Sequence, residues 1–320
     1  LIALFSLLVL RAAPAVVSST QPAIAWNQLP VAKYVSAPAL SSEPKPTKKD
    51  AESFGVSVSA RGAIVMDEAS GDILFEKGAR DPYPIASLTK LMTAMVFLDQ
   101  HPNLDEEVAM DPSDSTTEGR SVFMPSERLT KREILRAALV ESVNAAANAL
   151  ARLTGMTRED FLKAMNEKAK ALGMQEANFA DPVGLDPRSS ASAHDVALAL
   201  RAALSYPEIR EAASMDKVKI KGLSTGHMYE ITTTNLLLTS FLNKAPYKII
   251  AAKTGSLPEA GFCLAQVTER EPGEDVIAVV LGSDNHFDRF QDVKAMTTWA
   301  FDTFEWPQQK AERDQSLVMK

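Results

Sequence analysis

The order of strand-like and helical segments is the feature that most constrains the fold of this chain. Two short apolar runs flank the turn "DEASGD" within residues 62–79, and strand-like runs return over residues 217–283. The region between them carries apolar residues at helical spacing, and residues 286–304 form a closing amphipathic pattern. Strands at both ends of a helical middle predict an α/β (α+β) fold: one antiparallel sheet with an inserted all-helical subdomain at about residues 100–215.

Capping residues mark the predicted helices. One helix opens at Ser87, where apolar residues follow at helical spacing, and two later helices are closed by Gly155 and Gly173. Three pairs of residues have the spacing of a capping box: Thr130 with Glu133, Thr157 with Asp160, and Ser192 with Asp195. In the closing helix the pattern places five residues on one face: Phe287, Phe290, Val293, Thr297 and Ala300.

The two ends of the chain differ in composition from the folded domain, which we assign to residues 56–305. Residues 1–20 begin with an apolar run of signal-peptide length and are interpreted as a signal-peptide remnant, with a buried strand or helix as the alternative. Residues 21–55 are rich in Pro, Ala, Ser and Lys, which indicates a flexible linker, and residues 306–320 form a polar tail. We therefore expect an exported protein of the bacterial periplasm or cell envelope.

Composition argues against several classes of function. The net charge of −7 leaves no broad basic face, so nucleic acid is not an expected partner. The four histidines are scattered without metal-ligand spacing, and no phosphate-binding glycine motif is present, so we expect neither a metal nor a cofactor. The single cysteine, Cys263, lies among apolar residues and is predicted to be a buried structural thiol, which also suits an exported protein without disulfides.

Ser87 and Lys90 stand three residues apart at a predicted helix start, so both lie on one helical face. A serine hydroxyl is a weak nucleophile until a base takes its proton, and a lysine is such a base only when burial or a nearby cation lowers its pKa. A second lysine could supply that cation, and the helix N-terminus could offer N–H groups to a developing oxyanion. Taken alone, the pair is more typical of a helix start with a solvated lysine.

Two further segments carry groups that this chemistry needs. Ser142 and Asn144, in "ESVNAAAN", could relay a proton and hydrogen-bond a substrate amide. Lys253 and Thr254, at the predicted end of the strand "YKIIAAKTG", could bind a carboxylate, and Gly255 would let a substrate backbone approach the strand edge. Each segment alone is more typical of a helix cap or a surface turn.

Taken together, the three segments resemble the S-x-x-K, S-x-N and K-T-G set of penicillin-binding proteins and serine β-lactamases, in the same order. The longer stretches "GAIVMDEASGDILFEKGARDPYPIASLTKLMTA", "LGMQEANFADPVGLDP" and "AAKTGSLPEAGFCLA" are similar to the low-molecular-mass group, the D-alanyl-D-alanine carboxypeptidases and endopeptidases. The similarity covers about residues 62–285. It implies a β-lactamase/DD-peptidase-like fold, with a five-stranded antiparallel sheet flanked by helices.

The resemblance also implies a role for each motif residue. Ser87 would be the acylated nucleophile and Lys90 its base, while Ser142 and Asn144 would complete the proton and substrate network. The substrate-binding residues would be Lys253, Thr254, Gly255 and Ser256, of which the first two hold the terminal carboxylate. Backbone N–H groups of Ser87 and Ser256 would form the oxyanion hole. Val143 stands where relatives often carry a polar residue, which affects mainly the expected substrate preference.

The implied function is a penicillin-sensitive D-Ala-D-Ala carboxypeptidase that acts on peptidoglycan stem peptides, with β-lactams as covalent inhibitors. An endopeptidase that cleaves peptide cross-links is the first alternative, since residues 256–320 suffice only to finish the sheet and one helix, and the tail is too polar for a membrane anchor. A β-lactamase and a non-catalytic peptidoglycan-binding scaffold are further alternatives. The G-x-S-x-G match at Ser224 lies between two strand-like runs, so it predicts a hairpin turn and no hydrolase elbow.

Overall fold

The computed structural model describes residues 45–116 and 122–307 of the chain. The predicted signal-peptide remnant, most of the linker and most of the polar tail lie outside the described residues. Within the described ranges, no helix combines the length and the apolar character that crossing a membrane requires.

Seven α-helices are present in the described part of the chain: α1 (Thr89–Leu98), α2 (Lys131–Val140), α3 (Asn144–Arg152), α4 (Arg158–Ala171), α5 (Ala193–Ala203), α6 (Pro207–Ser214) and α7 (Asp288–Thr303). The strands there are β1 (Thr47–Lys48), β2 (Gly62–Asp67), β3 (Ile73–Lys77), β4 (Tyr83–Pro84), β5 (Glu107–Ala109), β6 (Arg128–Thr130), β7 (Ser190–Ala191), β8 (Lys217–Lys221), β9 (Met228–Thr232), β10 (Lys248–Leu257), β11 (Gly261–Glu269), β12 (Asp275–Ser283) and β13 (Phe304–Glu305).

The main sheet has five antiparallel strands in the order β10-β11-β12-β2-β3, which confirms the predicted sheet. Helix α7 covers one face, where Leu264 and Val280 belong to its apolar cluster. The opposite face packs on α5, and its apolar residues form one cluster with α1 and the rest of the helical region. Because helices cover both faces, the central strand β12 is an almost unbroken apolar run, "VIAVVL".

Helix α1 is surrounded by α2 to α6, and each of its residues is buried. Its C-terminal end is fixed by a buried polar network, because Lys168 Nζ donates to Asp99 Oδ2 and to the Tyr206 hydroxyl at 2.8 Å each. The Tyr206 hydroxyl in turn donates to Asp99 Oδ1 at 2.6 Å. The network joins α1 to α4 and to the start of α6, so the helix that follows Ser87 is held at both ends.

Several predicted details are confirmed. Thr130 with Glu133 and Ser192 with Asp195 form complete capping boxes. Cys263 is buried, and burial raises the pKa of its thiol to about 11.

Other predictions are wrong in part. Ser87 does not open an α-helix but lies in a 3₁₀ turn, residues Ala86–Leu88, just before α1. The K-T-G segment lies within β10 and not at its end, since the strand continues to Leu257. Phe287 precedes α7 and is 64% exposed, so it does not share the buried face of Phe290, because the helix starts only after it. Thr157 accepts a hydrogen bond from the Asp160 N–H and its hydroxyl donates to Asp160 Oδ2, but the capping box is incomplete because the Thr157 backbone N–H does not donate to that carboxylate.

The sequence patterns also missed α6 and three short strand pairs, β1–β13, β4–β7 and β5–β6. These strands have only two or three residues, too few for a periodic pattern to be seen.

Candidate active site

The turn that carries Ser87 is pressed against the edge strand β10. Ala86 has a φ of 48°, an uncommon left-handed conformation for a residue with a side chain, and it turns the chain sharply before α1. A Cβ atom built on Gly255 would lie 2.8 Å from the Ile85 carbonyl oxygen and 3.1 Å from the Ser87 nitrogen. Glycine at position 255 therefore permits the close approach of the serine turn to β10.

Lys90 follows one turn later and points its amine back at the serine. Lys90 Nζ lies 2.7 Å from Ser87 Oγ, and it donates to Asn144 Oδ1 and to the Val183 carbonyl oxygen at 2.9 Å each. The side chain is buried, and burial lowers its pKa to about 7, against an opposing effect of the Asp181 charge. Near neutral pH a substantial fraction of this amine is therefore uncharged.

The three contacts of Lys90 also define the direction of its lone pair. Two of them, Asn144 Oδ1 and the Val183 carbonyl, can only accept hydrogen bonds. An uncharged amine has two N–H bonds, and these two oxygens use both. Its lone pair is then left for the third neighbour, the hydroxyl of Ser87, which can donate its proton to nitrogen. The arrangement is that of a general base in contact with a nucleophile.

A second lysine–serine pair, Lys253 and Ser142, lies near the first. Lys253 Nζ donates to Ser142 Oγ at 2.7 Å and to the Thr254 carbonyl oxygen at 2.9 Å. Ser142 has a φ of 63° at the junction between α2 and α3, which turns its side chain out of the helical path. Burial, followed by the charges of Lys90 and Arg289, lowers the pKa of Lys253 well below its usual value. The charged form of Lys253 is thus disfavoured in this environment.

The remaining residues of the predicted set lie along β10. Thr254 Oγ1 is hydrogen-bonded to Thr234 Oγ1 at 2.5 Å, and Arg289 donates to the Gly255 carbonyl oxygen at 3.0 Å. Ser256 is exposed at the next position of the strand, and among the described residues its side chain makes no hydrogen bond to the other predicted site residues. Seven of the eight predicted residues thus converge around the serine turn, and Ser256 borders them.

Sequence reasoning assigned no role in the site to the loop of residues 181–189, "DPVGLDPRS". Asp181 accepts hydrogen bonds from the Gly184 and Leu185 N–H groups and from the Ser189 hydroxyl, so the loop is tightly folded. Gly184 has a φ of 86°, and a Cβ atom there would lie 1.9 Å from the Ala86 carbonyl oxygen. The loop therefore packs directly on the serine turn and presents the Val183 carbonyl to Lys90.

The competing G-x-S-x-G match is a hairpin turn, as predicted. Ser224 lies between β8 and β9, where its backbone N–H donates to Glu127 Oε1 at 2.9 Å. The same carboxylate accepts from the hydroxyls of Thr225 and Tyr229, so Glu127 anchors this turn to the helical region. A nucleophile elbow would join a strand to a helix, and this turn joins two strands.

The chain is similar to known peptidases over most of its length. Residues 46–285 match the S11 peptidase family, described as D-alanyl-D-alanine carboxypeptidase. A D-alanyl-D-alanine endopeptidase of Pseudomonas aeruginosa is 32% identical over 82% of this chain and 83% of its own length. A D-alanyl-D-alanine carboxypeptidase of Bacillus subtilis is 28% identical over 77% of this chain and 63% of its own length.

Solved structures give the same result. The crystal structure of the Streptomyces K15 DD-transpeptidase superimposes with a TM-score of 0.71 at 26% identity, covering 78% of this chain and all of that one. The family match spans more than half of the chain and includes each of the three motifs. The chain therefore belongs to the D-alanyl-D-alanine carboxypeptidase family, the serine DD-peptidases of the penicillin-binding group.

Proposed function

We propose that this protein is a D-Ala-D-Ala carboxypeptidase that acts on peptidoglycan stem peptides through an acyl-enzyme on Ser87. The observation that carries the proposal is the position of Lys90, a buried amine 2.7 Å from Ser87 Oγ whose two other partners are carbonyl oxygens. In this mechanism the uncharged amine takes the hydroxyl proton while Oγ attacks the carbonyl carbon between the two D-alanines. The N–H groups of Ser87 and Ser256 stabilise the oxyanion.

Collapse of the tetrahedral intermediate requires a proton on the leaving amine. Ser142 lies 2.7 Å from Lys253 Nζ, and we assign to its hydroxyl the relay of a proton to the nitrogen of the departing D-alanine. The proton that Lys90 took from Ser87 replaces the one that the hydroxyl gives up, so Lys90 is uncharged again before the next step. The peptide bond breaks, the acyl group stays on Ser87 Oγ, and water later hydrolyses this ester with Lys90 again acting as base. Asn144 keeps the Lys90 amine in place through both steps.

Binding of the substrate's carboxylate is assigned to Lys253 and Thr254. Because burial disfavours the charge of Lys253, an arriving carboxylate would favour protonation of that amine, and the ion pair would form only when substrate is bound. A free terminal carboxylate is thereby part of what the site recognises. Gly255, which lacks a side chain, leaves the strand edge open for the substrate backbone.

An endopeptidase is a second candidate, supported by the similarity to the Pseudomonas aeruginosa protein of that name, which this chain covers to 83%. A cross-link between stem peptides is an amide of D-alanine whose leaving group is the amine of a diamino acid. The carbon atom that bears this amine can also bear a carboxylate, so Lys253 and Thr254 could bind that carboxylate as well. Both substrates are found in the cell wall, and we accordingly propose that the protein is exported to the periplasm or cell envelope.

Covalent labelling with a fluorescent penicillin tests the role of Ser87. We expect the wild-type protein to be labelled, Ser87→Ala to be unlabelled, and Ser224→Ala, a matched change in the hairpin turn, to be labelled like wild type. An unlabelled wild-type protein would favour the non-catalytic scaffold. Rapid turnover of a chromogenic cephalosporin would favour a β-lactamase instead.

Digestion of purified muropeptides distinguishes the two peptidase candidates. Loss of the terminal D-alanine from monomeric pentapeptides, with cross-linked dimers left intact, is the result expected for a carboxypeptidase. Conversion of dimers to monomers would identify an endopeptidase. Ser87→Ala serves as the control for any contaminating activity.

A further inference from the structure

Thr234 joins the two segments that border the substrate cleft. Its hydroxyl is hydrogen-bonded to Thr254 Oγ1 at 2.5 Å, and Thr254 belongs to the K-T-G segment. Its backbone N–H donates to the Val140 carbonyl oxygen at 3.3 Å, at the end of α2 and two residues before Ser142. A single residue thus contacts the sheet side of the site through its side chain and the helical side through its backbone.

The neighbours of Thr234 hold it in this position. The Thr233 N–H donates to the Asp216 carbonyl oxygen at 2.8 Å, and the buried Asn235 donates through Nδ2 to Gln266 Oε1 at 3.0 Å. On the helical side, the Thr232 N–H donates to Glu141 Oε2 at 3.3 Å. The segment of residues 232–235 is therefore attached both to the sheet and to the residues that precede Ser142.

The bond between the two hydroxyls has a direction that matters for binding. Each hydroxyl has one proton, and Thr254 can donate to a substrate carboxylate only if its proton points toward the cleft. The oxygen of Thr254 must then accept a proton from Thr234. Among the described residues, the Thr234 hydroxyl has no other hydrogen-bond partner, so its proton is available for this bond.

We infer that Thr234 is a positioning residue that makes Thr254 a donor and so sets the preference for ligands with a free carboxylate. This inference rests on the proposed function, in which Thr254 binds that carboxylate. Donation from Thr234 orients the Thr254 hydroxyl and also polarises it, because hydrogen bonds in a chain strengthen one another. The residue acts through Thr254 and does not itself contact the reacting atoms.

Acylation by benzylpenicillin and by its methyl ester tests the inference, because the two probes differ in their carboxylate. The readout is the second-order acylation rate constant for benzylpenicillin divided by that for the methyl ester, each measured by mass spectrometry of intact protein. A lower ratio means a weaker preference for the free carboxylate. We expect Thr234→Val to lower the ratio by roughly 5- to 10-fold, the effect of losing one hydrogen bond between two neutral groups. Thr234→Ser keeps the hydroxyl, so its ratio should equal that of the wild-type protein.

Two further variants separate this role from a structural one. Thr298→Val removes a hydroxyl from α7 that bonds only within that helix, and it should leave the ratio unchanged. Thr254→Val should lower the ratio, and adding Thr234→Val to it should lower the ratio no further, since the two hydroxyls act as one unit. Thermal unfolding of each variant verifies that it is folded.

The possible failures are distinguishable. If Thr254→Val lowers the ratio and Thr234→Val leaves it unchanged, the role of Thr234 is refuted while the proposed function stands. If neither change affects the ratio but Ser87→Ala abolishes acylation, Thr254 does not contribute to recognition of the carboxylate and the inference is also refuted. Acylation that persists in Ser87→Ala would overturn the proposed function itself.

Discussion

Acylation of Ser87 should depend on pH through Lys90, and Asp181 should set where that dependence falls. Burial lowers the pKa of Lys90 to about 7, and only the uncharged amine can take the serine proton. With that pKa, roughly 3% of the amine is uncharged at about pH 5.5 and roughly 97% at about pH 8.5. The rate constant for acylation should therefore rise about 30-fold over this range, and activity is lost as the pH falls.

The charge of Asp181 favours the protonated form of Lys90, so removing it should move the midpoint in a known direction. In Asp181→Asn the pKa of Lys90 should fall, and the acid limb of the profile should shift to lower pH. Ser189→Ala is the matched control, because Ser189 Oγ donates to Asp181 at 2.8 Å and its loss loosens the same loop without changing any charge. That variant should keep the wild-type midpoint.

The assay is the rate of labelling by a fluorescent penicillin in excess, measured as a function of pH with each variant's thermal unfolding as a check. A flat profile between about pH 5.5 and 8.5 would refute the assignment of Lys90 as the base. A midpoint that rises in Asp181→Asn, or that falls equally in Ser189→Ala, would refute the electrostatic reasoning about the loop.

Three further predictions concern stability, each measured by thermal or urea unfolding. Gly184→Ala should destabilise the protein by about 3 kcal/mol or more, because its Cβ would meet a backbone carbonyl, while Gly155→Ala, with a similar φ but open space, should cost about 1 kcal/mol. Lys168→Met should cost about 3 to 5 kcal/mol, because it leaves the Asp99 carboxylate buried without its cation. Burial and nearby carboxylates raise the pKa of Asp275 to about 7, so the folded protein loses stability as the pH rises from about 4, where this carboxyl ionises in the unfolded chain, to about 7. Asp275→Asn should therefore stabilise the protein by about 1 to 2 kcal/mol near pH 8 and have little effect near pH 4.

Each of these stability predictions has a contrary outcome. Equal costs for the two glycine changes would show that the contact at position 184 relaxes easily. A Lys168→Met protein as stable as wild type would mean that the buried ion pair makes no net contribution to stability. A gain in Asp275→Asn that is the same at both pH values would show that its cause is not electrostatic.

The sequence was sufficient for the parts of the site that depend on reactive side chains. Ser87, Lys90 and Lys253 are recognisable because hydroxyls and amines at fixed spacing are chemically distinctive, and the structure brings them together as the motif reasoning expected. Their catalytic roles stay predictions. Of the two causes expected for a low lysine pKa, burial is the larger at both Lys90 and Lys253, and the charge of the other lysine contributes only at Lys253.

The groups that position these side chains could not be predicted in the same way. Val183 contributes a backbone carbonyl, which any residue possesses, so the identity of the residue at this position does not reveal its contact with Lys90. Thr234 follows a strand of alternating pattern and reads as one more strand residue. Helix α6 begins at Pro207 directly after α5, where only a short loop separates two apolar patterns, so the boundary between them was not visible.

The burial of α1 has a consequence for how the protein loses activity. A helix that is enclosed on all sides cannot fray by itself, so its amide hydrogens should exchange with solvent only when the entire domain opens. The serine at its entrance is held by that same enclosed helix. Penicillin labelling would then count native molecules, and a heated sample should lose its capacity to be labelled in step with its cooperative unfolding.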